Sequence, residues 1–125
     1  MEELQKKLQT ELDSLKSAQK EYHKAISQRQ TLDGQLNENM VVKTELDLMK
    51  PDGEVYKLIG PVLVKQDLDE AKQNVAKRMD YISGELKRIE DTINALDSKQ
   101  ETHREKLGKL QQQFQQEQVK AAMKA

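Results

Sequence analysis

Cysteine and tryptophan are absent from this chain, phenylalanine occurs once and proline twice. Without cysteine there can be no disulfide, no thiolate nucleophile and no cysteine-held zinc. Only 3% of the 125 residues are aromatic, too few bulky side chains to fill a compact core, which argues against a self-contained globule. An excess of one charge is missing as well. The 21 basic residues are mixed along the chain with 22 acidic ones, so no patch attracts nucleic acid or an acidic membrane. No stretch approaches the ~20 apolar residues of a membrane span, and Met1–Leu8 lacks the apolar core of a secretory signal. A soluble intracellular protein is the expectation.

What is abundant is Glu, Lys, Gln and Leu, a composition suited to long helices when the apolar residues recur periodically. From Leu4 onward they do, at Leu4, Leu8, Leu12, Leu15, Tyr22, Ile26, Leu32, Leu36, Met40, Leu46 and Met49. These steps, mostly threes, fours and their sums, describe one helical stripe over residues 1–49. Pro51 disfavours helix at Lys50 and begins the turn-forming Pro51-Asp52-Gly53, so the helix should stop there. A second helix is expected over 68–118. Its Met79, Ile82, Leu86, Ile89, Ile93, Leu96, Gln100, His103, Leu107, Leu110 and Phe114 alternate steps of three and four, a heptad repeat. Asp67 is a candidate N-cap, and Asp69 and Glu70 suit the positive end of the helix dipole.

Between the helices, residues 54–66 hold two β-branched runs divided by Gly60-Pro61, which predicts a β-hairpin. Val55, Ile59, Val62 and Val64 alternate with Tyr56, Leu58 and Leu63, so both faces of the strands are apolar and one supporting helix cannot cover them. An isolated two-stranded hairpin is marginal in water and has unpaired edges, so pairing with other subunits is expected.

Two long helices joined by a short element should fold back as an antiparallel coiled coil, pairing positions whose numbers sum to roughly 118. Leu36 then meets Ile82 and Leu8 meets Leu110. Gln19, Arg29, Gln100 and His103 interrupt this seam, and Gly108 inside the second helix costs ~1 kcal/mol relative to Ala. The ends should therefore fray, leaving Met1, Leu4, Leu8, Leu107, Leu110, Phe114, Val119 and Met123 available to a partner. Alternatively, several of these residues simply close the seam.

The other chemistry-bearing residues have structural explanations. His23 and His103 are the only histidines, and the pairing sets them out of level with no carboxylate-rich pocket, so neither a metal nor a catalytic role is expected. Asp67, Asp69 and Glu70 are what a helix start requires. Gly60-Pro61 lacks the further glycines and the Lys-Ser or Lys-Thr of a phosphate loop. No cofactor and no enzymatic activity are expected.

The segment Val55–Gln66, followed by Asp67-Leu-Asp-Glu-Ala71 and Val75-Ala-Lys-Arg-Met-Asp-Tyr-Ile82, resembles the β-type subunits of the prefoldin family. The resemblance extends in layout over nearly the whole chain, although its specificity lies in residues 55–82. It implies a single domain, mainly α, within a heterohexamer of α-type and β-type subunits whose hairpins join into a β-barrel platform. It also implies an ATP-independent cytoplasmic chaperone, with the nucleus a second compartment. Such a chaperone captures unfolded proteins such as actin and tubulin at coiled-coil tips and passes them to the cytosolic chaperonin. By position, Val55, Tyr56, Leu58, Ile59, Gly60, Val62, Leu63 and Val64 would form the assembly surface. The apolar residues of 1–12 and 107–123 would hold the client. A rival reading is a structural tether whose ends bind folded partners, which periodicity alone does not exclude.

Overall fold

Each element begins and ends where local chemistry requires it. The structure, a computed structural model, describes residues 1–124. Helix α1 (Glu2–Leu48) carries Glu2 and Glu3 in its first turn, where the dipole favours carboxylates. Past Leu48, the Gly53 amide donates to the Lys50 carbonyl at 2.9 Å, a turn with Pro51 at its second position. Gly53 suits this turn because a Cβ would crowd the Lys50 carbonyl oxygen at 3.0 Å and would have to displace the Met49 side-chain methyl, 2.7 Å away.

Strands β1 (Val55–Ile59) and β2 (Val62–Gln66) pair antiparallel, with Val55 opposite Gln66, Leu58 opposite Leu63 and Ile59 opposite Val62. The connecting Gly60 has φ of 58°, which L side chains resist, while the ring of Pro61 fixes a negative φ. That order, positive then negative, is the type II′ pattern whose twist matches the strands. Helix α2 (Leu68–Lys124) starts on Asp67, whose Oδ2 accepts from the Glu70 amide at 3.2 Å while its carbonyl accepts from the Ala71 amide at 2.9 Å. Asp67 is thus an N-cap bonded to the third helical residue. The helix continues past position 118 because Ala121, Ala122 and Met123 are strong helix formers. The final residue, Ala125, lies outside the described residues.

The chain forms two compact units, residues 28–89 and residues 1–27 with the segment from Glu90 on. In the first, Leu46, Ala71 and Val75 are buried together, and Met49, Val55, Leu68 and Met79 pack against them. This cluster joins the end of α1, the start of α2 and the root of β1. Ile82 is buried in the same unit. Met40, placed in the seam by its spacing from Leu36, is instead 49% exposed. Asn39, one residue earlier, is the half-buried position.

In the second unit Leu15, Ala18, Ala25, Ile93 and Leu96 are buried, and Gln100 is buried at 5% exposure. Towards the termini the seam turns polar. His103 Nδ1 donates to the Glu11 carboxylate, with the two side chains only 15% and 16% exposed. Gln100 Oε1 accepts from Arg104 at 3.3 Å, while the Gln100 amide nitrogen is buried without a hydrogen-bond partner.

Candidate assembly and client surfaces

The hairpin presents two apolar faces and covers neither. Side chains directly opposite in an antiparallel ladder share a face, so Tyr56, Leu58, Leu63 and Lys65 form one face and Val55, Lys57, Ile59, Val62, Val64 and Gln66 the other. Val55 is half-buried against the Leu46 cluster and anchors the root. Beyond it, Tyr56, Leu58, Ile59, Val62, Leu63 and Val64 are all exposed, Leu58 and Leu63 to 68% and 65%. All eight residues expected at the assembly surface therefore lie on one hairpin, seven of them beyond its anchored root.

Glu54 shapes the rim of this surface. Its Oε2 accepts from the Tyr56 hydroxyl at 2.8 Å, and its Oε1 lies 3.9 Å from Lys65 Nζ. Because Lys65 is opposite Tyr56 in the ladder, one carboxylate ties both strands at the root. The hydrogen bond to Glu54 raises the Tyr56 phenol above its ordinary 10.0, with partial desolvation adding to the shift.

In the unit that holds the termini, the eight residues expected at the client surface fall into two sets. Leu4, Leu8, Leu107, Leu110 and Phe114 are half-buried, whereas Met1, Val119 and Met123 are exposed at 50%, 58% and 82%. Leu8, Leu12, Leu107 and Phe114 line an open groove with Gln5, Gln9 and Gln111. Leu110 borders a second groove among Lys6, Lys7, Thr10, Glu11, Lys106 and Lys109. Val119 lies apart, in a shallow depression formed by α2 alone with Gln112, Gln115, Gln116 and Lys120. Met1 and Met123 line none of these grooves.

The Glu11–His103 contact was not anticipated from the sequence. Pairing at a sum near 118 sets Leu15 opposite His103, and Glu11 is one turn away on the same side of α1. The exposed Val41, Val42, Leu48 and Tyr81 were also missed. Among the described residues, no group of three or more His, Asp or Glu side chains could hold a metal ion. Nor is any helix among them long and apolar enough to cross a membrane.

Two long helices with one hairpin between them, uncovered on both faces, define a coiled-coil subunit built to assemble. The family model described as "Prefoldin subunit" matches residues 9–114. The chain is 50% identical over 120 residues to the probable prefoldin subunit 6 of Drosophila melanogaster, covering 96% of this chain and 94% of that one. It is 48% identical to prefoldin subunit 6 of Homo sapiens, covering 95% and 92% of the two chains. The crystal structure of the prefoldin beta subunit from Thermococcus strain KS-1 matches at TM-score 0.59 and 27% identity, over 87% of this chain and 90% of that one. The chain belongs to the prefoldin family and is a prefoldin chaperone subunit, similar to prefoldin subunit 6. Membership implies assembly with other prefoldin subunits.

Proposed function

We propose that this subunit divides its work by region, with the hairpin joining neighbouring α-type and β-type subunits into a heterohexamer and the terminal region holding unfolded clients. The whole chain acts as one prefoldin-like domain in the cytoplasm, without ATP, cofactor or catalysis, and passes clients such as actin and tubulin to the cytosolic chaperonin. One observation carries this reading: Leu58 and Leu63 face each other across the ladder and remain 68% and 65% exposed. Burying a Leu side chain is worth about 1.5 to 3 kcal/mol, and a lone hairpin is marginal in water, so a fixed neighbour is the economical cover. The terminal surface differs in kind. Leu8, Leu107 and Phe114 border an open groove, and a few such contacts give weak, reversible holding after ordering costs. Several arms acting together add avidity.

The test is co-expression with partner subunits, native mass measurement, and light scattering as unfolded proteins are diluted into the complex. Leu58→Glu with Leu63→Glu should abolish assembly. Leu8→Ser with Phe114→Ser should leave the mass unchanged and weaken suppression of aggregation. A complex of full mass from the Leu58/Leu63 variant would refute the assembly role. If the intact complex fails to suppress aggregation of several unrelated proteins yet binds a folded partner at fixed stoichiometry, the chain is a tether.

A further inference from the structure

The last turns of α1 carry a second apolar stripe that faces away from α2. Leu46 marks the inward side, since it is buried with Ala71 and Val75 of α2. At 3.6 residues per turn, Val41 and Leu48 lie roughly 140° and 160° around the helix from Leu46. Both are strongly exposed, at 63% and 76%, and the flanking Met40 is 49% exposed. Met40 and Val41 line a shallow depression with Asn37, Thr44 and Glu45. A polar rim follows, including the Lys43–Asp47 ion pair at 3.6 Å.

Such a stripe is unfavourable in the chain alone. Val41 and Thr44 are β-branched, and in a helix they lose side-chain freedom relative to Ala. At exposed positions no packing within the chain offsets that loss, whereas burial against a partner would. The stiff Val41 also suits a partner of fixed shape better than a variable one, for which flexible side chains adapt more readily. The stripe is continuous with the surface already assigned to assembly. Leu48 ends α1 next to Met49, and Met49 packs with Val55, the root of the hairpin, on one cluster. A neighbour that engages the hairpin is thereby brought beside the stripe.

We propose that Val41 and Leu48 form a second subunit contact, occupied by the neighbouring prefoldin subunit. This deepens the assembly reading above and rests on it only for the position of that neighbour. The native chain has no cysteine, so single substitutions report local accessibility by maleimide labelling, read on this chain by mass spectrometry. V41C, L58C and S17C would each be assembled with partner subunits, without client, and their labelling rates divided by the rates in denaturant. S17C, exposed in the terminal region, is the reference. In the complex V41C should label about tenfold or more slowly than S17C, because the centre of an interface excludes water. V41C labelling as fast as S17C in a complex of full mass overturns the proposal. So does protection that arises only after unfolded client is added, which would assign the stripe to clients. If V41C is open while L58C is protected, the stripe contact fails and the hairpin reading stands. If L58C is open while V41C is protected, the hairpin reading fails and the stripe contact stands.

Discussion

The seam around the hairpin root and the seam near the termini are built from the same two helices yet close differently. At the root, Leu46, Ala71 and Val75 are buried with no polar side chain among them, and Met49, Val55, Leu68 and Met79 extend the cluster. Near the termini, hydrophobic burial ends at Leu15 on α1 and at Leu96 on α2, where the next seam positions are the buried Gln100 and then His103, which contacts Glu11. Towards both ends from there, no hydrophobic side chain among the described residues is buried. Where polar groups replace apolar ones, the seam loses most of what drives burial and gains groups that must be satisfied. Under the proposed division of work the asymmetry would be useful: a hairpin root that joins subunits would need to keep one geometry, while a surface that accepts clients would need to open at low cost.

The largest effect should come from breaking the closed side. Leu46→Ala deletes a 7% exposed side chain from the root cluster. It should cost about 2 kcal/mol, the low end for such truncations because the cluster lies at the edge of a two-helix seam. Hydrogen exchange in the assembled complex measures this locally. Amides of 44–50 and 69–77 should exchange faster, with those of 100–110 unchanged. Equal acceleration in both regions would mean that the two seams open as one, and the contrast drawn above would fail.

A smaller effect of opposite sign is expected on the open side. Gln100→Leu replaces a buried amide whose nitrogen has no partner, while the Arg104 guanidinium that donates to its oxygen is half-exposed and can turn to water. Removing an unsatisfied buried group in favour of an apolar one of similar length should stabilise residues 96–107 by about 1 kcal/mol. Slower exchange there, with weaker client holding at unchanged native mass, would tie the polar layer to the working of the tips. Faster exchange would instead make Gln100 a register-setting residue, as polar groups in coiled-coil seams can be.

How much of this was legible in the sequence depended on whether a residue's role is local. The turn at Gly60-Pro61, the Asp67 cap and the stop before Pro51 were readable because each is decided by backbone preferences within a few residues. Met40 was misplaced because α1 is apolar on two sides there. A four-residue step from Leu36 looks like one stripe, while Asn39 hides the inward position. The Val41–Leu48 stripe escaped for the same reason. The Glu11–His103 contact needed the seam register to within one turn, which periodicity does not supply. Which half-buried leucines face a groove is likewise set by how two helices meet.

The smallest predicted effect concerns the one shifted titration among the described residues, at the rim of the hairpin. The Glu54 carboxylate accepts from the Tyr56 phenol and thereby favours its neutral form, so the phenol titrates above 10.0 in the folded hairpin. For a raised pKa, the contribution to hairpin stability is fully present below the unfolded value of 10.0 and is lost as pH rises through the higher folded value. Phenolate absorbance of the isolated chain carrying Tyr22→Phe and Tyr81→Phe isolates Tyr56, since the chain has three tyrosines. Adding Glu54→Gln should move that titration down towards 10.0, because a neutral amide no longer disfavours the phenolate. The same glutamine should leave hydrogen exchange at Glu11 and His103 untouched. If Glu54→Gln fails to move the Tyr56 titration, the Glu54–Tyr56 bond does not hold the rim, and the hairpin root rests on the strand ladder, Val55 and the Gly60 turn.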